Sequence, residues 1–380
     1  MMLTRKAGPS PKKRMNKYSS ESPLPNLPQE LLLKVALSDE KEALDSWAEW
    51  KSITDFENDV DLGSLRLLPL VFHRLQNLSH LDELTGRLKG IYRKSWSNNQ
   101  QLIYKASLFI DEMRKTGINV MALKGIPLSL EVYNNLAIRP MYDVDILVPL
   151  SSKMEAIQFL RGKGFTPDDE RILEYNLTYG KGMGFKNESG FEIDLHWRPL
   201  LDSIMNSDPN DFWDKAKPVE IGNTSVLIMS PEDELLCTLV HGLRRNPLPP
   251  IRWVADSVFI VRKNHETIDW DRFVTYSVKY KVMIQVKTGL NYIYQTFDMP
   301  VLKDVIKSLN KIKPSYSEKV IIKHAQWFGD QRKNFSFPER IFTFYARYLR
   351  FSSNENFFKL HYYFLKYSLS RIKNRLINSA

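Results

Sequence analysis

Two short stretches constrain this chain more than any other feature: Tyr142-Asp143-Val144-Asp145-Ile146-Leu147-Val148 and Phe191-Glu192-Ile193-Asp194-Leu195-His196-Trp197. In both, apolar residues alternate with acidic or polar ones, and a period of two is the signature of a strand with one buried face. Asp143 and Asp145 therefore emerge side by side, while Tyr142, Val144, Ile146 and Val148 face the other way. In the second stretch Phe191, Ile193, Leu195 and Trp197 share the apolar face, leaving Glu192, Asp194 and His196 together on the opposite one. The apolar faces pack; the acidic faces need a chemical reason.

The rest of the chain sets these strands between helices. A basic tail, residues 1–28, is rich in Lys, Ser and Pro with few apolar anchors and is expected to be disordered. From Gln29 to residue 115 apolar residues recur at helical spacing, giving an N-terminal helical region. The period changes at Gly117. Ile118–Leu123 reads as a buried strand, Lys124-Gly125 breaks it, and Pro127 opens a helix to about Asn134. Ser151 or Ser152 is expected to cap a helix ending near Gly162, and short strands are expected near 172–179, 181–187 and 190–197. Val219–Met229 reads as a hairpin turning at Gly222-Asn223. Ser230-Pro231-Glu232-Asp233 starts a helix, and 231–380 reads as a C-terminal helical region. The expected class is α+β, a small mixed sheet with helices over 116–230, flanked by helical regions on both sides.

Composition limits the possible functions. With 43% hydrophobic residues in 380, a large core is within reach. The single cysteine, Cys237, cannot form an internal disulfide, and the start of the chain lacks the apolar core of a signal peptide, so a cytoplasmic protein is expected. No uninterrupted apolar run reaches the roughly eighteen residues needed to span a bilayer. The net charge of +10 sits at the ends: residues 1–17 carry +6 and 301–380 carry +11, leaving the middle acidic. A chain that grips nucleic acid usually concentrates positive charge at its working site, so the distribution favours a small-molecule or peptide partner over RNA.

Carboxylates held side by side repel, and a divalent cation is their natural compensation. Magnesium prefers oxygen ligands and leaves positions for waters or phosphate oxygens. If the two strands are neighbours, Asp194 joins Asp143 and Asp145, enough for two metals about 3.5–4 Å apart. Glu192, on the face of Asp194, is the alternative third ligand. Lys124-Gly125 followed by a helix start is a possible phosphate cradle, because backbone N–H groups and the helix dipole favour an anion there.

The order Leu123-Lys124-Gly125, Arg139, Asp143-Val144-Asp145-Ile146-Leu147-Val148 and Glu192-Ile193-Asp194-Leu195-His196-Trp197 resembles the bacterial uncharacterised nucleotidyltransferase family, of the DNA polymerase beta-like superfamily. The likeness extends through Leu68-Pro69 and Arg252-Trp253-Val254-Ala255-Asp256, covering most of the chain from Gln29. It implies a nucleotidyltransferase palm between helical regions, with Asp143, Asp145 and Asp194 as catalytic metal ligands for Mg2+, or Mn2+ in its place. Lys124 and Gly125 would bind the nucleotide, with Lys-Gly standing where the wider superfamily has Gly-Ser. Arg139 is expected either to meet the triphosphate or to hold Asp143, and His196 either to touch phosphate or to serve structure. His241 and Asp256 read as a polar network or a cleft wall. The implied reaction transfers a nucleoside monophosphate from a triphosphate, ATP foremost, to an acceptor that is not legible. Its rivals are a non-catalytic nucleotide- or metal-binding module and an enzyme acting on transfer-RNA ends. Aromatics and cations interleave over Arg340–Leu376, as in an RNA or membrane surface, and a packed helix pair is the favoured reading there.

Overall fold

The computed structural model describes residues 23–200, 208, 210–244 and 251–328, with positions 341–343, 345, 346, 348, 349, 358, 361, 362 and 365 beyond them. The basic segment 1–17 and most of Arg340–Leu376 lie outside the described residues.

The N-terminal helices are α1 (Leu27–Leu37), α2 (Glu40–Ile53), α3 (Leu62–Leu65), α4 (Leu68–Asn77) and α5 (Thr85–Lys115). The first starts two residues before Gln29 because Asn26 and Gln29 form a reciprocal capping box, each side chain accepting from the other's backbone N–H. Helix α5 is 31 residues long, and its buried positions, among them Leu88, Asn99, Ile103, Ile110 and Met113, form one stripe along its length. It carries the chain from the helical region onto the sheet.

Among the described residues the sheet has seven strands in the order β3-β4-β5-β2-β1-β7-β6. They are β1 (Met121–Ala122), β2 (Val144–Leu147), β3 (Thr166–Pro167), β4 (Gly182–Lys186), β5 (Glu192–His196), β6 (Lys217–Ile221) and β7 (Thr224–Ile228). It is mixed: β2 runs parallel to β5 and antiparallel to β1, which is parallel to β7. The expected hairpin is β6–β7, with Gly222 at φ 60° in the turn. Helix α6 (Lys153–Gly162) follows Ser152 as expected, but the Ser152 side chain makes no capping hydrogen bond. The segment 172–179 departs from expectation: Leu173–Tyr179 is a helix, α7, entered from a short 3-10 turn that Asp169 caps. Its aromatic and branched residues favour a strand, but Gly180 ends the helix and β4 begins only at Gly182, so the ladder with β5 is filled without it.

Two cores hold the sheet. Val144, Ile146, Ile193 and Leu195 pack with Phe109, Ile110 and Met113 of α5 and with Ile157 and Leu160 of α6. The other core joins the N-terminal helices to those after the sheet: α8 (Pro231–Gly242), α9 (Arg252–Asn264), α10 (Trp270–Lys279), α11 (Met283–Phe297), α12 (Lys303–Lys311) and α13 (Tyr316–Phe328). Met121, Leu123 and Leu147 belong to this second core. The strand faces that carry the acids thus look toward α8 and α9.

Candidate active site

Parallel pairing of β2 with β5 sets Asp145 directly beside Asp194, and Leu147 beside His196. Residues two apart on a strand share a face, so His196 lies next to Asp194 and beneath Asp145. Its Nε2 is 3.0 Å from Asp145 Oδ1 and 3.1 Å from Asp194 Oδ2. The donor atoms of Asp145, Asp194 and His196 all lie within 4.8 Å of one another, close enough to share one cation. Asp143, just ahead of β2, is exposed at the rim of the same cleft. Glu192 is exposed at the start of β5, two residues upstream of Asp194.

Behind this cluster stands the Lys-Gly pair. Lys124 has φ 51°, an uncommon backbone conformation for a side-chain-bearing residue and one that costs on the order of 1–3 kcal/mol. The conformation aims its ammonium at the acids: Nζ donates to Asp145 Oδ1 and lies 3.9 Å from Asp194 Oδ2. A side chain at Gly125 would have to displace Met141, since a Cβ there would come within 2.9 Å of Met141 Sδ. The chain then turns directly into Gly125–Pro127 and a π-helical turn over Leu128–Val132.

The charges are strongly coupled. Burial works to raise the Asp145 carboxyl, but the Lys124 charge and the His196 hydrogen bond overcome it and hold Asp145 well below the usual carboxylate range. Asp194 is likewise lowered against its own burial, mainly by His196. Asp143 goes the other way, raised first by the loss of water in the cleft and then by Asp145. Lys124 stays above its ordinary value because the acids outweigh its burial. Lys181, buried near Arg244 and Lys124, is pushed down to about 7.

Three parts of the chain enclose the cleft in front of the acids, which has a volume of about 320 Å3. The N-terminal helices supply Arg66. The sheet supplies Lys124, Gly125, Tyr142, Asp143, Asp145 and Asp194. The helices beyond it supply His241, Arg252 and Asp256, so His241 and Asp256 do form part of a cleft wall.

Two residues expected at the nucleotide already have partners within the site. Arg139 is 7% exposed and gives a two-pronged ion pair to Asp256, Nε to Oδ1 at 2.8 Å and Nη2 to Oδ2 at 3.0 Å, with Tyr133 Oη also donating to Oδ1. It holds Asp256 while itself lining the cleft. His196 is 1% exposed and lies below the carboxylates, outside the set of residues that line the open cleft.

Three contributors had no role assigned to them from the sequence. Arg66 stacks its guanidinium 5.1 Å from the ring centre of Tyr142. Arg252 donates to the Pro140 carbonyl, while its Nε has no hydrogen-bond partner among the described residues. Asn99, fully buried, donates to the carbonyls of Leu136 and Arg139 and accepts from Met141 N, pinning the segment that leads into Asp143. A buried amide on the apolar stripe of α5 is the one signal that could have exposed it.

A family model described as uncharacterised nucleotidyltransferase matches residues 63–298, a span that includes every residue lining the cleft. No curated protein matches the chain. Among solved structures, the chain is similar to an antigenic nucleotidyltransferase-like protein from Paracoccidioides brasiliensis, with 14% identity and a TM-score of 0.36, covering 55% of this chain and 94% of that one.

Proposed function

The chain belongs to the uncharacterised nucleotidyltransferase family, and from that premise we propose that it moves a nucleoside monophosphate from a nucleoside triphosphate, ATP foremost, to an acceptor. An acceptor oxygen bonds to the α-phosphorus, the bond to the α,β-bridging oxygen breaks, and its electron pair leaves with pyrophosphate. The acceptor's proton goes to a carboxylate or to water.

The observation that carries this reading is the in-register meeting of Asp145 and Asp194 on parallel strands at the floor of an open cleft. Their donor set fits a divalent cation: carboxylate oxygens within a few ångströms of each other and of His196 Nε2, with Asp143 outside that cluster, lining the same cleft. Magnesium bound there would neutralise the phosphate oxygens and polarise the phosphorus under attack. The protein's own groups do the positioning. His196 fixes the two carboxylates, Lys124 offers a positive charge, and the bare Gly125 backbone leaves room for phosphate.

Replacing Asp143 and Asp145 together, Asp143→Asn with Asp145→Asn, should reduce magnesium-dependent triphosphate binding and pyrophosphate release to background while the far-ultraviolet circular dichroism stays native. Retained pyrophosphate release in that variant would remove both residues from the mechanism. The Lys124–Asp145 contact favours one second reading, a non-catalytic nucleotide-binding module in which the ammonium permanently takes the cation's place. That reading predicts nucleotide binding indifferent to magnesium, with no labelled acceptor when the protein is incubated with α-labelled triphosphate and cell extract.

A further inference from the structure

Besides the ion-paired Arg139, two groups of cations line the cleft together with its acids. One is Lys124, whose electrostatic neighbours are Asp145, Asp194 and Asp143. The other is the pair Arg66 and Arg252, contributed by helices on opposite sides of the sheet in sequence. Arg252 feels Arg139, Asp256 and Arg66, and Asp143 feels both Lys124 and Arg252.

The two arginines are compensated only at a distance: Asp143 and Asp256 lie near enough to interact with the Arg252 charge, but neither pairs with it. The nearby carboxylate, Asp256, already receives two hydrogen bonds from Arg139 and one from Tyr133. Arg252 is left with the Pro140 carbonyl and an unpartnered Nε, and Arg66 with the face of Tyr142. Neither arginine forms an ion pair among the described residues. Burial, and the neighbouring Arg139 after it, lowers Arg252 to about 10, which leaves it charged at neutral pH. A half-buried guanidinium without a direct ion pair is costly, and a cleft that holds two of them suits an anion.

We propose that Arg66 and Arg252 bind a phosphate monoester carried by a small acceptor molecule, seating it in the cleft that Lys124 and Gly125 also line. The inference rests on the nucleotidyl-transfer reading and adds the acceptor's chemical class to it. A phosphate monoester is favoured because its double negative charge matches two cations and its oxygens suit the planar guanidinium fork. The anion makes and breaks no bond. It anchors the acceptor so that its nucleophilic oxygen reaches the α-phosphorus.

The test uses the full-length protein loaded with magnesium and α,β-methylene ATP, which cannot be cleaved at the α,β position, titrated with inorganic phosphate in a calorimeter. Phosphate should bind the loaded protein. Arg66→Met and Arg252→Met should each weaken that binding by about tenfold or more, as expected for a lost charge-assisted hydrogen bond, and leave affinity for the analogue within about twofold. Arg66 lies at a half-buried helix end, so its variant reads the site even if Arg252→Met folds poorly. Weakened analogue binding in place of weakened phosphate binding would assign the arginines to the donor and overturn the proposal. So would unchanged phosphate binding in both variants, or none in the loaded wild type. If the wild type takes up no analogue, the transfer reading itself fails. Phosphate titrated onto the free protein then decides separately: binding lost in both variants keeps the anion site, and no binding removes it.

Discussion

Glu234 shows what a single buried charge does here. It lies in the first turn of α8 and is 6% exposed. Burial, aided by Asp256 and Asp145 and opposed by Arg139 and Lys124, pushes its carboxyl from 4.5 to about 8. The folded protein therefore keeps a proton that the unfolded chain releases above about pH 4.5, and stability falls as pH rises from there to about 8. Glu234→Gln imitates the protonated form and should remove that loss: near-equal denaturation midpoints at pH 5, and a variant more stable by a few kcal/mol at pH 9. Parallel pH profiles for the two proteins would contradict it. The same scale shows where sequence reading stops. Asp143, Asp145 and Asp194 stood out because strand alternation is local, whereas the partner that occupies Arg139 lies 117 positions away. No local pattern announces such a pair.

Among the elements, α5 does more than cover the sheet. Through Asn99 it binds the segment 136–141 with three hydrogen bonds and so fixes the approach to Asp143. Asn99→Ala strips partners from buried backbone groups and should cost roughly 2–4 kcal/mol in chemical denaturation. Nucleotide binding should weaken as well; a variant that loses stability but keeps full affinity would show that the segment holds its shape unaided. The pairing of β2 with β5 was legible as a condition, since the carboxylates converge only if those strands are neighbours, and the parallel register meets it. The helix at 173–179 was not legible, because its composition reads as strand and only the ladder already completed by β4 makes it helical.

At the scale of the whole molecule, the cleft closes only when the N-terminal helices, the sheet and the later helices are assembled together. A ligand bound there should stabilise the entire chain, by about 2.7 kcal/mol at a concentration one hundred times its dissociation constant. Magnesium with ATP should accordingly raise the melting temperature by a few degrees, roughly in line with chains of this size. Asp145→Asn should abolish the rise, and an equal rise in that variant would place the ligand elsewhere. No helix among the described residues is long and apolar enough to cross a membrane. The ammonium of Lys124, already seated against Asp145, has a final consequence. A lone hydrated ion must evict a resident that costs nothing in translational freedom, whereas an ion escorted by a polyanion gives the evicted lysine a new home on the phosphates. Ion and nucleotide should therefore arrive as a couple, each tightening the other's grip by the same factor.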